Sequence, residues 1–214
     1  SPRDDARHLN ATMFFSDIVQ HAQAGHSDPL SQAKAIFDWV VRTVQLIPSE
    51  NPDYISLVQY RSSNDLTLRM LAEDTLIFGR GTHIERAYLS VLLLRQIKIE
   101  ACLIGSQNQE NDRFDLRWIG ILINRDIFLF DPVLGLPVTN PQNKELVSLK
   151  QFSKTPDAFT SKWGPPKTKG TSVPSDSLDS LTIKLVFDPL YWAPRMKVLE
   201  DKLTSMRGPI VLYE

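Results

Sequence analysis

The chain has 214 residues, enough for one sizeable domain or a domain with a substantial extension. Hydrophobic residues make up 42% and charged residues 23%, the balance of an ordinary soluble globular protein, and 24 basic against 25 acidic residues leave a formal net charge of -1. No run of Lys or Arg is long enough to track phosphates, so nucleic acid is not an expected partner, and no apolar run approaches the roughly 20 residues that span a bilayer.

In chain order, residues 10–24 carry Met13, Phe14, Ile18 and Val19 on a helical stripe. Asp28 is a good N-cap and Pro29 suits a first helical position. Ala33, Ile36, Trp39, Val40 and Val44 then recur at helical spacing over 29–46, and Pro48 with Asn51-Pro52-Asp53 opens a loop. Asp65, Leu66, Leu68, Met70 and Leu71 predict a short helix over 65–75. After Gly79-Arg80-Gly81 a helix over about 83–96 is apolar on two sides, through Ile84, Tyr88 and Leu92 and through Ala87, Val91 and Leu94. Such a helix is expected to be central and buried.

The period then changes. Residues 99–106, 116–123 and 126–131 are short, apolar and separated by polar turns, and Asn124-Arg125-Asp126 predicts a hairpin between the last two. Helices followed by an antiparallel sheet define an α+β fold. Residues 154–178, rich in Pro, Ser, Thr and Lys, predict a long connection, and the domain reading takes 151–178 as a loop or linker after a domain over 1–150. Residues 179–214 read as a βα(β) extension: a strand over Leu181 to Phe187, then a helix over 194–206 with Met196, Leu199, Leu203 and Met206 on one face. Gly208 stops that helix, and 209–213 form a closing strand. The extension is either an edge of the main sheet or a small second unit.

Cys102 is the sole cysteine, which rules out an intramolecular disulfide and cysteine-rich zinc sites. The chain begins Ser-Pro-Arg rather than with Met, which reads as a processed or excised protein and points to an exported or envelope location over a cytoplasmic one.

The most informative segment is Phe78-Gly79-Arg80-Gly81-Thr82-His83-Ile84-Glu85-Arg86-Ala87, taken with Leu92-Leu93-Leu94-Arg95 and Ile99 to Gly105. It resembles the core of the transglutaminase-like superfamily, with its papain-like fold. There a Gly-x-Cys turn opens a central helix, an acidic residue, an Ala and a Leu-Leu-Arg follow, and a His-x-Trp strand and an Asp-Pro come after. Trp118 and Asp131-Pro132 stand here in the matching order, and the resemblance spans about residues 30–138. It implies a central helix packed on an antiparallel sheet.

The family's chemistry needs three groups. A cysteine at a helix N-terminus has its thiolate stabilised by the positive end of the helix dipole. A histidine acts as base, an aspartate orients the imidazole, and acyl transfer from a glutamine or peptide carbonyl proceeds through a thioester. This sequence departs at two of the three. His83 stands where the nucleophile would be, and Leu116, two residues before Trp118, where the base would be; only Asp131 matches.

Leucine takes no proton, and imidazole is a poor substitute for a thiolate. The expectation is therefore a catalytically inactive transglutaminase-like domain that binds a peptide or protein, or serves structurally, with no cofactor. His83, Glu85, Trp118 and Asp131 are its candidate cleft residues. The alternative is an atypical hydrolase or acyltransferase acting on peptide or glutamine amides through His83 and Asp131. Each residue also has a plainer role. His83 fills a vacated site and bonds locally, Glu85 satisfies helix-start amides or pairs with Arg80 or Arg86, and Trp118 packs in the core. Cys102 sits in an apolar run as an inert small hydrophobe. No His-rich spacing accompanies His83, Glu85 and Asp131, so no metal site is expected among them.

Overall fold

The computed structural model describes residues 1–52, 54–55, 70–107, 114–154 and 181–213. The chain divides into two units, Ser1–Glu100 with Val186–Glu214, and Ala101–Leu185. Among the described residues the first unit is mostly helical and the second is built on an antiparallel sheet, so the chain is α+β.

In the first unit, helix α1 (Pro2–Ala22) starts earlier than the apolar stripe predicts. Ser1 and Asp4 form a capping box, and Pro2 takes the first turn, where no amide partner is needed. Its buried residues are His8, Thr12, Phe15, Ser16 and Val19, while Phe14 is exposed. Helix α2 (Pro29–Thr43) begins as expected, with the Asp28 carboxylate accepting from the Ser31 amide at 2.9 Å. Ala33, Ile36, Phe37 and Val40 are almost wholly buried, each large side chain contributing roughly 1.5–3 kcal/mol by leaving water.

A two-residue parallel ribbon follows, β1 (Gln45–Leu46) with β2 (Arg80–Gly81). Between them, Met70 and Leu71 are not helical; helix α3 runs over Ala72–Phe78 instead of 65–75, whose residues 65–69 lie outside the described set. Gly79 ends α3 at φ 62, the left-handed conformation that glycine adopts without a Cβ penalty. Helix α4 (His83–Arg95) then packs on α1 and α2 within this unit; the predicted line Ala87, Val91 and Leu94 is buried, whereas Ile84, Tyr88 and Leu92 are only half-buried.

The second unit is a sheet of order β6-β5-β4-β3-β7, from β3 (Ala101–Gln107), β4 (Phe114–Ile123), β5 (Asp126–Asp131), β6 (Leu136–Pro137) and β7 (Leu181–Lys184). All its pairings are antiparallel. The predicted β4–β5 hairpin turns through Asn124 and Arg125, both at positive φ, 52 and 70, as a two-residue turn closed by the Ile123–Asp126 pair. Helix α5 (Leu149–Lys154) lays Phe152 against Cys102, Ile104, Trp118, Leu129 and Val147, and these form the core of one face. It also overturns the expectation of a connection from residue 151, since 151–154 complete this helix; residues 155–180 lie outside the described set.

The C-terminal segment differs from its prediction in three places. Strand β7 stops at Lys184 and is an edge of the main sheet, paired with β3. Helix α6 (Pro194–Arg207), preceded by a 3-10 turn at Pro189–Trp192, belongs to the first unit. Met196 is fully buried on it, but Met206 is 79% exposed, one turn past the apolar contact that ends with Leu203. Residues 209–213 form no strand. Their Ile210, Val211 and Leu212 are nonetheless buried.

Candidate functional site

The residues singled out by sequence fall in both units. His83 and Glu85 belong to the first, and Leu116, Trp118 and Asp131 to the second.

His83 is the first residue of α4, directly after its N-cap Thr82, and is half-buried. Two residues on, the Glu85 carboxylate is 2% exposed and organises the start of the helix. It accepts hydrogen bonds from the Tyr54 hydroxyl at 2.6 Å, the Thr82 amide at 2.8 Å, the Met70 amide at 3.2 Å and the Thr82 hydroxyl. The Thr82 hydroxyl in turn accepts from the Ile84 amide at 3.2 Å, completing a capping box. Burial and the neighbouring Glu85 carboxylate hold the Tyr54 phenol well above its ordinary range, so it stays a donor. The plainer reading of Glu85, as the group that satisfies helix-start amides, covers the Thr82 amide alone; the Met70 amide and the Tyr54 and Thr82 hydroxyls lie outside it.

Arg86, the next residue, is also buried. Its guanidinium donates to the Val44 carbonyl at 2.6 and 2.9 Å and to the Val41 carbonyl at 3.4 Å. A cation over the last carbonyls of α2 offsets the negative end of that helix, while burial pushes the guanidinium below its ordinary pKa. Sequence offered Arg86 only as an ion-pair neighbour of Glu85. Its carbonyl ligands lie 42 to 45 residues away, so no local spacing could have signalled them.

In the second unit, Leu116 and Trp118 flank a β-bulge. Ile104 pairs with Trp118 and Gly105 with Leu116, leaving Arg117 as the extra residue of β4. Leu116 is 5% exposed. Trp118 is a core residue, its ring 4.9 Å from that of Phe152 in an edge-on contact. Asp131 ends β5 one residue beyond the Ile119–Phe130 pair and is paired with Leu136 of β6. Its Oδ1 accepts from the Val133 amide at 2.8 Å and the Leu134 amide at 2.9 Å, closing the Asp-Pro turn.

Cys102 is buried in β3, and burial raises its thiol above the ordinary value. The expected result with an aromatic disulfide reagent on the native chain at pH 8 is slow labelling that reaches one thiol per chain only in denaturant. Rapid native labelling would contradict its burial. Among the described residues no group of three or more His, Cys, Asp or Glu side chains is placed to hold a metal ion, and no helix is long and apolar enough to cross a membrane.

No family model matches the sequence, and no curated protein matches it. Among solved structures, the chain is similar to the crystal structure of a putative cysteine protease from Cytophaga hutchinsonii, at 20% identity and a TM-score of 0.41. The likeness covers 64% of this chain and 41% of that one, so this chain spans less than half the length of that protein.

Proposed function

We propose that this chain is a catalytically inactive domain of transglutaminase-like descent that acts as a peptide- or protein-binding or structural module. The observation that carries the reading is Leu116. A buried aliphatic side chain takes the position that the resemblance gives to the base, and no neighbouring protonation can make it accept a proton from a nucleophile. Two further features support it. His83 brings an imidazole, not a thiol, to the first position of α4. The one thiol is buried in a strand with its pKa raised, the reverse of the activated cysteine the reaction needs.

A binding role fits the loop after Asp131. Its Oδ1 is engaged with two turn amides, and that turn presents Val133, Leu134 and Leu136 at 44%, 41% and 51% exposure. Grouped exposed apolar side chains are what a contact surface offers.

The test is mass spectrometry of amine incorporation, deamidation and cleavage on a mixed peptide library, comparing wild type with His83→Ala and Cys102→Ser. The expected outcome is the same absence of turnover in all three. Turnover by the wild type that disappears in either variant would overturn the proposal and make that residue part of an enzyme.

A further inference from the structure

Ile210, Val211 and Leu212 are buried without strand partners, and their backbone polar groups must be met by something else. Side chains of three helices in the first unit meet them. From α1, the Ser16 hydroxyl donates to the Pro209 carbonyl at 3.1 Å, and His8 Nε2 lies 3.3 Å from the Leu212 carbonyl. From the residue capping α4, the Gln96 amide pairs with both polar groups of Val211, donating to its carbonyl at 3.3 Å and accepting from its amide at 3.2 Å. From α6, the Glu200 carboxylate accepts from the Leu212 and Tyr213 amides at 2.7 and 2.8 Å. The tail is a segment bound by side chains in its own chain.

One of those ligands has two ring nitrogens and can carry one N–H or two. The second ring nitrogen of His8, Nδ1, lies 3.7 Å from Asp188 Oδ2, and the His8 side chain is only 4% exposed. Both ring nitrogens therefore face oxygens. A neutral imidazole has one N–H and can serve one of them; the imidazolium has two and serves both.

The other groups around the ring sort by sign. The Asp188 carboxylate favours the imidazolium, and so does the Glu200 carboxylate on the adjoining amides. The Arg95 guanidinium, stacked 4.5 Å over the Tyr191 ring, opposes it. Tyr191 meets His8 edge-on at 4.5 Å, and burial keeps its phenol protonated and uncharged. Of the two carboxylates, only that of Asp188 lies within 4 Å of a ring nitrogen.

We propose that His8 is a proton-gated clasp: as the imidazolium it joins the Leu212 carbonyl to Asp188 and holds the tail 209–213 down, and on losing its proton it gives up one of these contacts and lets the tail open. The surface uncovered is apolar, since Ile210 and Leu212 pack on Met196 with Leu9, Met13, Leu199 and Leu203 around them. The device is independent of whether the chain is an enzyme. It has an acid limit as well. The neighbouring His8 ring is the largest cause holding the Asp188 carboxyl below its ordinary pKa. A depressed carboxylate stabilises above its unfolded value and loses that contribution as pH falls through the folded one. The clasp thus weakens at acid pH, once the Asp188 carboxylate takes up its proton.

The test is hydrogen exchange of the Leu212 and Tyr213 amides in the full chain from pH 5.5 to 8.5, corrected for intrinsic rates. Protection is expected to fall by roughly tenfold or more as pH rises, the equilibrium counterpart of one hydrogen bond to a charged group. In His8→Gln, which keeps a donor toward Leu212 but does not titrate, protection should not vary with pH. Wild-type protection that is flat across the range, or an equal fall in His8→Gln, would overturn the clasp. If His8→Gln does not fold, the ring nitrogens of the wild type decide by their ¹⁵N shifts. Two protonated nitrogens at pH 5.5 with one bared by pH 8.5 support the proposal, and one bare nitrogen at both ends refutes it.

Discussion

Glu85→Ala is expected to lower the unfolding free energy by about 3–5 kcal/mol, read from urea or guanidinium titrations. The carboxylate accepts from Tyr54, Met70 and Thr82, the last through both amide and hydroxyl, and it is 2% exposed. An alanine leaves these donors buried with no water to replace it, and each unsatisfied group carries its own desolvation penalty. Glu85→Gln keeps one acceptor oxygen but turns an NH₂ toward donors, so it should lose about half as much. Tyr54→Phe removes a single donor and should cost about 1–2 kcal/mol. In a double-mutant cycle Tyr54→Phe and Glu85→Ala should be strongly non-additive, because they share one bond. A Glu85→Ala protein within about 1 kcal/mol of wild type would mean that the network carries little weight.

The same pair has an alkaline signature. Burial first, and then the Glu85 hydrogen bond, raise the Tyr54 phenol above its ordinary value. A raised pKa gives stability that is whole below the unfolded value, about 10, and that is lost as pH climbs toward the folded one. Stability should therefore fall above about pH 10, and less steeply in Tyr54→Phe.

How much of this was legible follows from what each signal measures. Caps and apolar periods report local geometry, and where they dominate the reading holds. Asp28-Pro29 opens α2, α4 begins at His83, and the β4–β5 hairpin turns at Asn124-Arg125. Helix α1 shows why the rest was hidden. Its buried face is half polar, because His8 and Ser16 meet the backbone of residues 209–213, about 200 positions away. A hydropathy period sees the apolar members alone and so assigns Phe14 to the wrong face. The closing strand predicted over 209–213 failed for the complementary reason. Its apolar run was real, but side chains took the hydrogen bonds that a ladder would have made. At the candidate site, residue types were readable while their use was not. Nothing in the sequence distinguishes a carboxylate that satisfies four donors, as Glu85 does, from one in an open cleft.

The bulge at Arg117 yields the other large effect. Gly105→Ala is expected to destabilise by about 3 kcal/mol, against about 1–2 kcal/mol for Gly120→Ala on the neighbouring strand. Both glycines face crowded positions, but the obstacles differ. A Cβ on Gly120 would meet the ends of side chains, Ile104 Cδ1 at 2.6 Å, Ile127 Cγ2 at 2.8 Å and Cys102 Sγ at 2.9 Å, which can rotate at some cost to core packing. A Cβ on Gly105 would sit 2.1 Å from the Asp115 carbonyl oxygen and 2.9 Å from its carbon. Backbone cannot rotate away. Asp115 is held opposite Ser106 by the ladder, so relief requires moving β4 away from β3 where the extra residue Arg117 bends it. The bulge also fixes which side chains point where, because a one-residue slip exchanges the faces of a strand. Losing it would turn Leu116 and Trp118 against their present partners, and the near-ultraviolet circular dichroism of Trp118 should change along with the denaturation midpoint. An alanine at 105 that left both readouts unaltered would show that the bulge is compliant and that glycine is not what holds it.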